Sequence, residues 1–343
     1  MNVALIVGFA SGIVTSIIAN YIWSRRARLR LLVADRRAKR SKILDFDPAE
    51  VDLFALNRWT LRRYLDRDNL VMKISSERPP QKWFDEAEWN SLYTELAQSY
   101  SGDIAYLVDV NVDHRESAEG RKFRYTVAHC SYAEHLATVE YLKRHPNARS
   151  SIRAAIAGGK MLDFVRSSPP SSIKVNVALV TLDNRFLAIQ RSSAVDFKKG
   201  VWTVGPNETM QLSRAERPGG VAEDLFGMSE RCLREELNLE PSDYGNLNIS
   251  WLGIDAGTCQ VKVYAQVKTH LSRRELDRRI SDAHSLYEAQ DFQWLKFNRE
   301  NVNDILANWE RGDQTGRVWS ASAPHALQEL WRMRAALQLP DLM

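Results

Sequence analysis

Residues 224–239 of the chain, DLFGMSERCLREELNL, carry a clear helical pattern. Its composition favours a helix, and apolar residues at positions i, i+7 and i+11 form one stripe for packing against a core: Phe226, Leu233 and Leu237. Glu235 and Glu236 fall off that stripe. Adjacent carboxylates repel each other, and a hard divalent cation is one reason to keep them together, although a solvated helix face is the ordinary alternative.

Two strands are expected upstream of this helix. Apolar and polar residues alternate from Ile173 to Val180, which is typical of a half-buried strand. Asp183-Asn184 supplies a turn, and residues 186–190 return as a second strand, so the pattern predicts a hairpin. The hairpin is followed by Arg191, a Gly-x-Trp at Gly200 to Trp202, and Glu208.

This order of parts resembles the Nudix hydrolase family, whose signature is G-x5-E-x7-R-E-U-x-E-E-x-G-U, with U a bulky aliphatic residue. Aligned on Arg231, the chain supplies these signature residues: Glu223, Arg231, Leu233, Glu235, Glu236 and Leu239. The resemblance covers about residues 173–300 and implies a Nudix-type α/β/α sandwich with a mixed sheet, within an α+β or α/β chain.

Three positions depart from the signature. Arg217 stands at the first Gly, Asn238 at the late Gly, and Cys232 at the Glu of the central R-E pair. In the family that Glu helps to bind the metal or to activate water. A thiol is a poor ligand for Mg²⁺, which prefers oxygen, so the departure at Cys232 bears directly on activity.

The resemblance implies a metal-dependent reaction at these acids. Glu235 and Glu236 would hold Mg²⁺ or Mn²⁺ on the diphosphate of a nucleoside diphosphate linked to another moiety, and Arg231 would orient Glu235. Glu208 sits where relatives often place another metal-facing acid. A later acid often serves as base or ligand, and Glu288 is preferred here over Asp291.

Substrate contacts are predicted at two further residues. Arg191 and Trp202 are the candidates for binding the nucleotide, with a packed core tryptophan as the alternative for Trp202. Cys232 is expected to be an inert thiol, because two nearby carboxylates disfavour its thiolate.

The other end of the chain predicts a membrane anchor. Val3 to Trp23, VALIVGFASGIVTSIIANYIW, contains no ionisable side chain and as a helix spans ~30 Å. The segment from 24 to 42 carries nine basic residues and one acid, which predicts an outside N-terminus and a cytoplasmic body. Gly8, Gly12 and Ser16 share one helix face that would let a second copy approach, so a homodimer is an open alternative.

The sequence divides as follows: a transmembrane helix (1–23), a basic juxtamembrane segment (24–44), an α+β domain of unknown role (45–166), a linker (167–172) and a Nudix-like domain with C-terminal helices (173–343).

The whole chain has a formal charge of +4, so the body beyond the basic segment is mildly acidic and no nucleic-acid partner is expected. Three scattered cysteines indicate reduced thiols.

Three functions are compatible with these features. The leading one is a membrane-anchored, Mg²⁺-dependent Nudix-type hydrolase. The second is a weak or inactive Nudix-fold nucleotide sensor or effector that signals at the membrane, because Cys232 replaces a signature Glu. The third is a membrane-tethered scaffold in which residues 45–170 bind a protein partner.

Overall fold

A computed structural model of the chain describes residues 53–56, 65, 67–78, 81–112, 122–193, 199–212, 223–283, 289–334 and 337. The predicted membrane helix, the basic segment that follows it, Arg217 and Glu288 lie outside these ranges. Within the described ranges, no helix combines the length and the apolar character needed to cross a bilayer.

The described strands, in chain order, are β1 (Leu53–Ala55), β2 (Leu70–Ser75), β3 (Asp103–Val112), β4 (Phe123–Ser131), β5 (Ile173–Val180), β6 (Arg185–Arg191), β7 (Trp202–Val204), β8 (Asn207–Thr209), β9 (Asn248–Asp255), β10 (Gln260–Lys268) and β11 (Ala289–Lys296). The described helices are α1 (Glu86–Leu96), α2 (Tyr132–Arg144), α3 (Pro146–Ala157), α4 (Met161–Val165), α5 (Leu225–Leu237), α6 (Arg273–Ile280), α7 (Arg299–Asn308) and α8 (Ser322–Met333). The fold is therefore mixed α+β.

A large mixed sheet forms the centre of the C-terminal half. Its strand order is β1-β9-β10-β5-β6-β11, with β7 on β6 and β8 on β5. Strands β5 and β10 run parallel, and the other pairs are antiparallel. The predicted hairpin is confirmed as β5 and β6, and Asn184 takes the left-handed conformation in its turn with φ 59°.

Helices cover both faces of this sheet. On one face, α5 and α6 bury Leu233 and Leu276 against alternate residues of β5 such as Val175. On the other face, α7 and α8 bury Ile305 and Trp331 against the intervening residues. The C-terminal helices therefore cover one face of the sheet.

A smaller sheet of order β2-β4-β3 lies in the middle region. Strands β3 and β4 form an antiparallel pair, and β2 joins them parallel to β4. Helices α3 and α4 are separate, because Gly158 and Gly159 end the first of them, and Gly159 has φ 88°.

The middle region and the C-terminal half share one apolar core. Leu107 and Tyr125 of the small sheet lie in the same cluster as Val175 and Leu233. Strand β1 also precedes the small sheet in sequence, yet it pairs antiparallel with β9 of the large sheet. The two halves of the described chain are thus packed together by long-range contacts.

Residues 167–172, predicted to be a linker, are a buried connection. Ser171 and Ser172 are 4% and 0% exposed, and the Ser171 hydroxyl donates to the carbonyl of Thr258 over 3.0 Å. A Ser-Pro run predicts loop backbone, and here that loop fills the junction between the two sheets. The domain boundaries themselves stay a prediction.

Candidate active site

The helix with the acidic pair lies within the predicted stretch 224–239 and spans Leu225–Leu237. Asp224 caps α5 by accepting a hydrogen bond from the Gly227 amide over 2.7 Å. Asn238 ends it in the left-handed conformation with φ 54°. Asn is the usual substitute for Gly at such a position, so the departure from the signature at Asn238 preserves the backbone conformation.

Arg231 is the centre of the site. Its side chain is 1% exposed, and its Nε and Nη2 donate to the two carboxylate oxygens of Glu223 over 2.7 and 3.1 Å. Its Nη1 lies 3.1 Å from Glu208 Oε2 and 3.2 Å from Glu235 Oε2. The remaining hydrogen bond, from Nη2 to the carbonyl of Thr209, is 2.7 Å long. Three carboxylates from separate segments therefore converge on one guanidinium.

Glu208 reaches Arg231 because of the turn that precedes it. Gly205 lies between β7 and β8 with φ 69°, and a Cβ atom there would stand 1.9 Å from the carbonyl oxygen of Val177. Only glycine fits both the dihedral and the approach. The turn lets β7 pair with β6 and β8 with β5, and the register places Glu208 opposite Val175, on the face that α5 covers.

The charges at the site do not cancel. Glu208, Glu223 and Glu235 together carry two negative charges more than Arg231 neutralises. Burial acts to lower the pKa of Arg231, but the hydrogen bond to Glu223 and the charges of the three acids outweigh it and raise this pKa. Burial raises the pKa of Glu208, and the charge of Glu235 adds to the rise while Arg231 opposes it. An added cation would relieve the excess charge.

Cys232 lies in the core beneath these acids. It is 0% exposed, and burial raises the pKa of its thiol well above the usual range, with the charges of Glu208 and Glu236 acting in the same direction. The thiol is therefore neutral and turned away from solvent. Its position agrees with the prediction of an inert thiol, and it supplies no ligand where the family signature has a carboxylate.

The residues of this site fit a divalent metal ion only in part. Across the described ranges, no group of three or more His, Cys, Asp or Glu side chains is arranged to hold a metal ion. Glu208 and Glu235 bind Arg231 instead of forming a ligand set with Glu236. Mg²⁺, however, is commonly held by one or two carboxylates together with substrate phosphates. Glu235 and Glu236 are half-buried oxygen donors that suit that shared mode, whereas Cys232 does not.

The two predicted substrate residues lie elsewhere. Trp202 is 6% exposed and packs against Trp319 in the core under α7 and α8, so its position matches the packed-core alternative. Arg191 ends β6, and its Nη1 donates to Asn207 Oδ1 over 3.3 Å. Asn207 precedes Glu208 in β8 and so faces the opposite side of the sheet from the Arg231 cluster.

Sequence reasoning missed one residue that supports this arrangement and one pair of cations on the opposite face of the sheet. Tyr125, from the small sheet, accepts a hydrogen bond from the Leu225 amide at the start of α5 over 3.2 Å. Lys174 and Lys262 stand side by side on β5 and β10. The alternation along β5 was a usable signal for Lys174, whereas no local pattern could reveal the contact of Tyr125.

No family model matches the chain, and no curated protein matches its sequence. Among solved structures it is similar to the DR0079 protein of Deinococcus radiodurans (14% identity, 46% of this chain and 82% of that one, TM-score 0.32). It is also similar to a MutT Nudix hydrolase from Burkholderia pseudomallei (17%, 46% and 97%, TM-score 0.28) and to an Ap4A hydrolase from C. elegans (16%, 48% and 98%, TM-score 0.29). Nudix hydrolases are thus structural neighbours at low identity and low TM-score.

Proposed function

We propose that the C-terminal half of this chain is a Nudix-type pyrophosphohydrolase for a nucleoside diphosphate linked to another moiety. The observation that carries the proposal is the convergence of Glu208, Glu223 and Glu235 on the buried guanidinium of Arg231. Glu223, Arg231 and Glu235 match the family signature, and Glu208 is the further metal-facing acid expected before it. Their side chains come together from β8, the segment before α5, and α5 itself.

In this proposal Glu235 and Glu236 would hold Mg²⁺ or Mn²⁺ together with the diphosphate of the substrate. The bound metal would supply positive charge to offset the charge on the leaving phosphate. Arg231 holds Glu235 in place through the 3.2 Å contact, and Glu223 holds Arg231. Glu288 remains a proposed base or additional ligand.

The proposal extends to the membrane. Residues 1–23 would anchor the protein with its N-terminus outside and its body in the cytoplasm, and the face of Gly8, Gly12 and Ser16 would allow a homodimer. Single-cysteine labelling of intact cells tests the topology. A cysteine placed ahead of residue 3 should react with an impermeant reagent, and one placed after residue 45 should not.

Turnover by the full-length protein in detergent tests the hydrolase. We expect release of phosphorylated products from a panel of dinucleotides and nucleotide sugars when Mg²⁺ or Mn²⁺ is present. Glu236→Gln should lower kcat by at least about 100-fold, because it removes a carboxylate that would hold the metal. Glu95→Gln, at an exposed position of α1, is the matched control. Turnover that Glu236→Gln leaves unchanged would contradict the proposal.

Cys232 favours a second candidate, a nucleotide sensor that does not hydrolyse its ligand. The position that carries a Glu in the signature is here a fully buried neutral thiol, so the metal-binding carboxylates are fewer. Calorimetry on the same panel separates the two functions. Binding without turnover by the wild-type protein would support the sensor, and a gain of turnover in Cys232→Glu would identify the missing carboxylate as the reason. A thermal-unfolding curve of that variant checks that it is folded.

A further inference from the structure

The middle region contacts α5 at the first residue of that helix. The Leu225 amide donates to the Tyr125 hydroxyl of β4 over 3.2 Å, and both residues are buried. The first amides of a helix have no partner within the helix, and a capping side chain close in sequence usually accepts from one of them. Asp224 does so for Gly227. The partner of the Leu225 amide instead lies 100 residues earlier in the chain, so the start of α5 is fixed to the small sheet.

A second contact holds α5 one turn further along. Arg67, three residues before β2, places its Nη2 2.7 Å from Glu230 Oε1 and its guanidinium carbon 5.3 Å from the centre of the Phe226 ring. Residues four apart share one face of a helix, so Arg67 lies across that face. Glu230 directly precedes Arg231. A rotation of α5 about its axis that moved Arg231 would therefore break the contacts of Arg67 as well.

The middle region also holds the segment that carries Glu208. The Ala105 amide of β3 donates to the Met210 carbonyl over 2.9 Å, and both residues are fully buried. Met210 directly follows Thr209, whose carbonyl accepts a hydrogen bond from Arg231. A displacement of this segment would therefore move both Glu208 and the Thr209 carbonyl relative to Arg231.

The contacts of Arg231 depend on the relative position of α5 and β8. Glu208 reaches Arg231 from β8 over 3.1 Å, whereas Glu235 reaches it from within α5 over 3.2 Å. A shift of α5 against β8 changes the first of these distances and leaves the second as it is. A displacement of about 1 Å at a reacting group can lower a rate about 100-fold. The contacts from β3, β4 and Arg67 hold both elements, so they set the geometry of the acids through the backbone.

We propose that Tyr125 and Arg67 are positioning residues for the Arg231 cluster, and that the middle region completes the acidic site by fixing α5 against β8. The expected effect on turnover rests on the proposed function, whereas the effect on the cluster itself does not. The proposal assigns the middle region to the catalytic unit and not to a separate scaffold.

Steady-state kinetics of the full-length protein in detergent test the effect on turnover. With Mg²⁺ and the best substrate of the panel, Tyr125→Phe should lower kcat about 10-fold and Arg67→Gln about threefold, because a buried contact is stronger than an exposed one. KM should stay within about twofold of wild type, since both residues act on α5 and not on the substrate. Arg67→Lys keeps a cation beside Glu230 and Phe226 and should recover kcat to within about twofold of wild type.

Each variant has a matched control in the same region. Tyr141→Phe removes a comparable hydrogen bond, because the buried Tyr141 hydroxyl accepts from the Asp85 amide ahead of α1 over 3.0 Å. Arg166→Gln removes an ion pair with Asp109 that is also 2.7 Å long and similarly exposed. Neither pair includes a residue of α5, so kcat of both controls should stay within about twofold of wild type.

Urea denaturation gives a second readout that needs neither metal nor turnover. Glu208→Gln should change the free energy of unfolding by less in the Tyr125→Phe or Arg67→Gln background than in wild type. The reason is that the contact between Glu208 and Arg231 is already weakened once α5 is free to shift. In the two control backgrounds the effect of Glu208→Gln should equal that in wild type. The same curves show that each variant is folded.

Three results would overturn the proposal. The first is a kcat of Tyr125→Phe within about twofold of wild type, and the second is an equal fall of kcat in Tyr141→Phe. The third is an additive effect of Glu208→Gln on unfolding in the Tyr125→Phe background. If the wild-type protein shows no turnover, the hydrolase proposal fails, and the denaturation experiment by itself decides whether Tyr125 and Arg67 position the cluster.

Discussion

The two faces of the large sheet differ in charge although they share the same strands. In β8, Glu208 points to the face with Arg231, while Asn207 and Thr209 point to the face with Lys174. One face gathers an excess of carboxylates, and the other gathers lysines. The difference arises from the twofold alternation of side chains along a strand, so a shift in register by one residue would exchange the two environments.

The acidic face depends most on Arg231. Arg231→Met would leave the carboxylates of Glu208, Glu223 and Glu235 close together without their cation, and we expect a loss of about 3–5 kcal/mol in the free energy of unfolding. Urea denaturation measures the loss. Arg234→Met, at an exposed position on the same helix, should change it by less than about 0.5 kcal/mol. Equal effects of the two substitutions would show that the buried cluster does not stabilise the fold.

Gly205 sets the register of β8 against β5, and with it the face to which Glu208 points. Gly205→Ala should cost roughly 2–4 kcal/mol, because the new Cβ meets the Val177 carbonyl at 1.9 Å as well as taking φ 69°. Gly200→Ala separates the two causes, since Gly200 has φ 71° and open space around its Cβ position. It should cost about 1 kcal/mol. Equal losses of unfolding free energy would assign the whole cost to the dihedral.

The small sheet supports the acidic face through Tyr125. Tyr125→Phe removes the hydrogen bond to the Leu225 amide and should lower the free energy of unfolding by about 1–2 kcal/mol, because the amide stays buried without a partner. Tyr93→Phe, on a partly exposed side chain of α1, is the control. A change no larger than that of the control would mean that Tyr125 does not secure the start of α5.

The smallest expected effect is a pH dependence that belongs to Glu208. Its pKa is higher in the folded protein than the ordinary value of 4.5, so the folded state binds the proton more tightly. The stability that this group contributes is therefore present at low pH and is lost as pH rises through the raised pKa. The difference in unfolding free energy between wild type and Glu208→Gln should fall as pH rises from about 4 to about 7. A difference that rises with pH would contradict the assignment.

Local patterns predicted the elements that hold the site. The stripe of Phe226, Leu233 and Leu237 predicted α5, and the structure buries all three. The alternation from Ile173 to Val180 predicted β5. Such patterns succeed because a helix or strand that must bury one face repeats its apolar residues with a fixed period, which is written in consecutive residues.

Long-range contacts were not predictable in this way. The pairing of β1 with β9 joins segments about 200 residues apart. The buried loop 167–172 reads as a linker because composition reports backbone conformation and not burial. Trp202 carries no sequence signal that separates a core residue from a base-stacking one.

By itself, the amino-acid sequence determined the helix with its acidic pair, the hairpin before it, and the set of residues that resembles the Nudix signature. Only the tertiary structure shows that Glu208, Glu223 and Glu235 contact Arg231. It also shows that Cys232 is buried and that Lys174 lies beside Lys262. The physical reason is that periodicity describes one element at a time. Charge neutralisation and burial depend on the register between elements, which distant parts of the chain set together.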